Sequence, residues 1–125
     1  MAVILVPTNK AIESKRVSFV VWRPAVEILK REQIMEAERL DLMASALGEV
    51  SGVEALQFAE CWKKFLATEL RVGQRFFIND TKTDEPDDLT FHKDQSEIWK
   101  NYSVPHEFLT DMIEFCSASG GFSVC

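Results

Sequence analysis

The 125-residue sequence predicts an α+β domain. Three observations carry that expectation. Short β-branched and apolar runs come first. Two segments with helical apolar spacing follow one another directly. A strand-like run then precedes a last helical segment. The expected layout is a single domain over residues 1–125 with a small mixed or antiparallel sheet. Its strands lie near residues 2–6, 17–22, 25–29 and 74–79. They pack against an αα-hairpin (31–47 and 51–71) and a C-terminal helix (104–117).

Ala2–Val6 is an uninterrupted apolar run before Pro7 and reads as a strand. Thr8–Arg16 is polar and loop-like. Val17–Trp22 is β-branched and aromatic, a second strand, which Arg23-Pro24 punctuates; Ala25–Leu29 makes a third. Leu29 and Ile34 then bracket Lys30–Gln33 with the spacing of a hydrophobic staple, so the first helix should begin near Arg31. Ala37, Leu40, Met43, Ala44 and Leu47 recur at helical spacing and Gly48 ends the segment. Ser51-Gly52-Val53-Glu54 fits a capping box and opens a second helix, terminated at Gly73. Gln74–Asn79 is a strand centred on Phe76-Phe77-Ile78, and Asp80–Thr90 an acidic loop. Asp94–Tyr102 is read as a short helix. Pro105 stands in the first turn of the last helix. Gly120-Gly121 breaks that helix before a terminal strand, Phe122–Cys125.

Apolar residues make up 46% and charged residues 27%, which excludes wholesale disorder. The longest apolar run is far shorter than the roughly 20 residues of a bilayer span, and it lacks the parts of a signal peptide. Three cysteines without a CxxC are read as free thiols in a reducing cytoplasm. The net charge of −6 is uneven: +4 over residues 1–31, −3 over 32–78 and −7 over 79–125. An acidic C-terminal third repels phosphate and disfavours nucleic acid as a partner. Lys10, Lys15, Arg16 and Arg23 near Trp22 form a basic-aromatic patch, a weak signal of that kind.

Catalytic signatures are missing: no GxSxG, GxGxxG, P-loop or HExxH occurs, so no cofactor is expected. The acidic loop lacks the glycine and twelfth-position glutamate of an EF-hand, and His92 and His106 stand fourteen residues apart, a poor zinc spacing, so no metal site is expected. At 100° per residue Glu69 falls on the stripe of Phe58, Trp62 and Phe65. Facing that wall it would have a raised pKa; in the last turn it would instead reach solvent or Arg75. Trp62, Trp99 and Tyr102 are candidates to line an apolar pocket, although an aromatic stripe at this spacing is also what a plain core requires.

The first functional expectation is a non-catalytic cytosolic binding module, a homodimer, with a pocket drawn from Phe58, Trp62, Phe65, Glu69, Trp99, Tyr102 and His106. It would hold a small apolar ligand or a protein partner. The alternative is an inhibitor or immunity-type protein that meets a basic partner through Asp84, Glu85, Asp87 and Asp88. A third is a small enzyme using Glu69 with a histidine as acid and base. The missing motifs fit small bacterial accessory proteins as a type, with no residues carrying a family resemblance.

Overall fold

In a computed structural model, which describes residues 2–125, the chain forms four α-helices and two small antiparallel sheets. Strand β1 (Ala2–Pro7) buries Val3, Leu5 and Pro7 on one face, the alternation its sequence predicts. It pairs with β2 (Lys15–Ser18), Val3 facing Val17. Helix α1 (Phe19–Arg31) starts at once, and α2 (Ala37–Ala44) follows. Strand β3 (Gly48–Ser51) leads directly into α3 (Gly52–Thr68). Strands β4 (Arg75–Phe77) and β5 (Lys82–Thr83) form a hairpin, and a 3-10 turn (Ile98–Asn101) leads to β6 (Ser103–Pro105). Helix α4 (His106–Ser119) and strand β7 (Gly121–Val124) finish the chain. The first sheet has the order β2-β1-β7-β3 and the second β5-β4-β6.

The fold class stands, but several elements differ from expectation. The strand expected over 17–22 ends at Ser18, and the one over 25–29 lies inside α1. Trp22, Ala25, Val26 and Leu29 form a buried i, i+3, i+4, i+7 stripe. Ser18 caps the helix, its Oγ accepting from the Val20 N–H at 3.2 Å. Pro24, one turn in, leaves the Val20 carbonyl without its helical donor.

The helix expected from residue 31 shrinks to α2, because residues 32–36 are the exit from α1. Gln33 has φ 54°, its N–H donates to the Lys30 carbonyl, and the Ile34 N–H donates to that of Leu29. This is a Schellman ending, with Leu29 and Ile34 at the two positions where an apolar contact closes a helix rather than opening one. No αα-hairpin forms, since β3 intervenes and α3 packs mainly against α4. The helix expected over 94–102 is reduced to the 3-10 turn.

Other expectations hold. The capping box is complete: the Glu54 N–H donates to Ser51 Oγ at 3.1 Å and the Ser51 N–H to Glu54 Oε1 at 3.0 Å. Gly120 takes the left-handed conformation past α4, and the terminal strand exists. One hydrophobic core runs between the first sheet and the helices. Its two indoles are anchored, Trp22 Nε1 donating to the Met43 carbonyl at 2.8 Å and Trp62 Nε1 to that of Ala25 at 3.0 Å. Among the described residues no helix is long and apolar enough to cross a membrane.

Candidate functional site

The N-terminal end of α1 builds one wall of a cleft. Phe19 and Arg23 are four residues apart and so share a helix face. After the 3-10 turn the chain brings Tyr102 to the same place. The Arg23 guanidinium carbon lies 4.7 Å from the Phe19 ring centre and 5.4 Å from that of Tyr102, and Nη1 donates to the Tyr102 hydroxyl at 3.3 Å. Arg23 is half-buried and forms no ion pair among the described residues.

The opposite wall is the long return from β5 to β6. Asp87 Oδ1 accepts from the Leu89 N–H at 2.8 Å, and Asp88 Oδ1 from the Thr90 N–H at 3.0 Å. These are Asx turns, with Leu89 at φ 63°. Asn101 clamps the far end, its Oδ1 accepting from the His92 N–H and its Nδ2 donating to the His92 carbonyl, both at 2.8 Å. Leu89 and Phe91, 85% and 70% exposed, therefore line the mouth of a cleft of about 350 Å³ with Phe19, Val20, Arg23 and Tyr102. Ser18, Asp87, Lys100 and Asn101 complete it.

A more polar cleft of about 310 Å³ adjoins it and shares Asp87, Thr90 and Lys100. Arg75 lies over the Phe77 ring at 5.1 Å, donates from Nε to the Glu85 carbonyl at 2.9 Å and from Nη1 to Ser103 Oγ at 2.9 Å. Trp99 packs edge-on against Phe77 at 5.0 Å. The Thr90 backbone and hydroxyl hold the Asp88 carboxyl below its ordinary pKa. Lys100, 3.1 Å away, does the same for Glu97.

The expected pocket residues do not converge. Phe58 and Trp62 are fully buried core, and Phe65 packs on Phe76. Glu69 caps the end of α3 and pairs with Arg31 at 2.5 Å rather than reaching Arg75. Arg31 also holds Asp80 at 2.7 Å and lies over the Phe65 ring at 5.2 Å. Burial works against its charge, but the bonds to Asp80 and Glu69 prevail and raise its pKa. Neither histidine lines the small cavity beside Glu69. His106 opens α4 and donates its backbone N–H to the Gln74 carbonyl at 3.3 Å. Trp99 and Tyr102 stand in adjoining clefts. Asp84, Glu85, Asp87 and Asp88 are exposed, two of them occupied with the local turns above.

Phe19, Val20, Leu89 and Phe91 were not among the expected site residues. The Ser18 cap followed by Phe19 and Arg23 at i,i+4 is the signal that points to the first wall; two isolated apolar residues in an acidic loop are the only signal for the second. A wider groove of about 670 Å³ runs along α3 past Ile34, Val53 and Leu56, with Glu60 and Lys64 also in its lining, but it is more open than the Arg23 cleft. Among the described residues no three His, Cys, Asp or Glu side chains are grouped as metal ligands. No family model, curated protein or solved structure matches the chain.

Proposed function

We propose that the protein is a non-catalytic binding module whose site is the Arg23 cleft, holding a small molecule with an apolar body. One observation carries the reading: the guanidinium of half-buried Arg23, in contact with two aromatic rings and without a carboxylate partner among the described residues, stands in the wall of a largely apolar cleft. Ligand sites combine an apolar lining with a few placed polar groups in this way. The test is a screen of aromatic fragments followed by backbone amide NMR. Binders should shift the resonances of Phe19, Val20 and Asn101. Val20→Trp, at a position 38% exposed on the cleft wall, should block them while leaving the melting transition in place. Fragments that bind elsewhere, or bind the filled variant equally well, would refute the assignment.

A second reading keeps the exposed Asp84 and Glu85, with the −7 charge of the C-terminal third, as a surface for a basic protein. It is supported by the absence of any cation within ion-pair reach of either carboxylate among the described residues. Capture of a basic partner that elutes with salt, and is lost on neutralising these residues, would favour it.

A further inference from the structure

We infer that the Arg23 cleft selects a small organic carboxylate with a planar apolar body, an assignment that rests on reading this cleft as the ligand site. The argument is a count of hydrogen-bonding capacity. Arg23 has five N–H donors and spends one on the Tyr102 hydroxyl. That hydroxyl accepts from Arg23 and has no acceptor of its own among the described residues, so its proton is available. Ser18 Oγ accepts from the Val20 N–H, which leaves its proton available too. The Asn101 amide is spent on His92, and Lys100 is held by Glu97.

Arg23, Tyr102 and Ser18 therefore offer donors into one cleft. A carboxylate is acceptor-only and matches the guanidinium fork. Phe19 and Tyr102 already have faces turned to the Arg23 cation, so they are poorly placed to receive a ligand cation as well. The lining from Phe19, Val20, Leu89 and Phe91 suits a flat hydrocarbon body. Asp87 is the dissenting group. Its Oδ1 already accepts from Leu89, and its charge works against an anion in the cleft.

The test compares three probes of nearly one shape at pH 7: phenylacetate, its neutral amide and phenethylamine, titrated into the wild-type protein by amide NMR. Phenylacetate should bind about tenfold or more tighter than phenylacetamide, as a charge-assisted pair requires, with phenethylamine weakest. Arg23→Gln should bring phenylacetate down to the level of the amide. Tyr102→Phe should weaken it severalfold, and Asp87→Asn should strengthen it by removing a like charge. The wild-type comparison does not depend on any variant folding. Equal binding of acid and amide at this cleft would overturn the carboxylate assignment while leaving the cleft as a ligand site. So would tighter binding of the amine, or a loss of phenylacetate affinity in Asp87→Asn. Failure of all three probes to move Phe19, Val20 or Asn101 would remove both readings.

Discussion

Glu54 shows how one side chain serves two purposes. Its carboxylate closes the capping box of α3 and accepts from Arg39 Nη1 at 2.7 Å and Nη2 at 3.2 Å, while Arg39 Nη2 also donates to the Glu49 carbonyl of edge strand β3 at 3.1 Å. The Arg39 bond, then the Ser51 backbone, lowers its pKa from 4.5 to about 2. A carboxylate depressed in the folded state contributes stability that is complete above 4.5 and lost as the pH falls towards 2. The pair is partly exposed, 42% for Arg39 and 26% for Glu54, so its worth is discounted. Glu54→Gln should cost about 1 kcal/mol at pH 7 by urea denaturation, and the gap from wild type should close by about pH 2. A gap that persists in acid would mean that the loss is packing, not charge. Cysteine behaves as simply. Burial pushes Cys61 up to about 11 and Cys116 up to about 12, whereas Cys125 is exposed. A thiol reagent at pH 8 should modify one of the three thiols in the folded protein and all three in denaturant. Rapid reaction of a second native thiol would show that α3 or α4 opens locally.

Elements were legible where a local motif has one meaning. The Ser51–Glu54 box and the Gly120 stop each specify a boundary by a hydrogen bond or a backbone angle that few residues supply. Leu29 and Ile34 show the opposite case. An apolar pair five residues apart fits the start of a helix and the end of one equally well, and Gln33 at positive φ gave no glycine to mark which. That one ambiguity shifted α1 out of view, because β-branched Val20, Val21 and Val26 then read as two strands, with Pro24 as the break between them. Losing α1 also hid the site, whose first wall is its opening turn. The acidic loop fared better in outline: Asp84, Glu85, Asp87 and Asp88 are exposed as expected, though the last two hold Asx turns. Asn retains the accepting oxygen, so Asp84→Asn, Glu85→Gln, Asp87→Asn and Asp88→Asn together should change stability by less than about 1 kcal/mol. Thermal melting checks this, and a larger loss would show that the charges, rather than the turns, hold the return from β5 to β6.

For the whole molecule the deciding strand is β7. β7 lies between β1 and β3, with Leu5 facing Val124 on one side and Val50 facing Phe122 on the other. Phe122 also meets Phe115 and Phe58 edge-on, at 5.5 and 6.4 Å, so the same strand joins the sheet to α3 and α4. Its entry is sterically exacting. Gly121 has φ 103°, and a Cβ there would meet the Val50 carbonyl oxygen at 2.6 Å and the Gly52 nitrogen at 2.9 Å, backbone atoms that no rotamer change can move. Gly121→Ala should therefore cost about 2–4 kcal/mol, combining a strained backbone with a displaced strand. A loss under about 1 kcal/mol by urea denaturation would mean that β3 slides away freely and that β7 does not organise the sheet. Ending the chain at Gly120 is the sharper form of the same argument. It would strand β1 and β3 without their common neighbour and leave buried Leu5 and Val50 without their partners Val124 and Phe122. The pairings of β7 span most of the sequence, so their closure entropy is met only when the rest of the core forms with them. The shortened chain should lose its sigmoidal urea transition. A retained cooperative transition would show that α3 and α4, with the small second sheet, are a folding unit to which the first sheet is merely added.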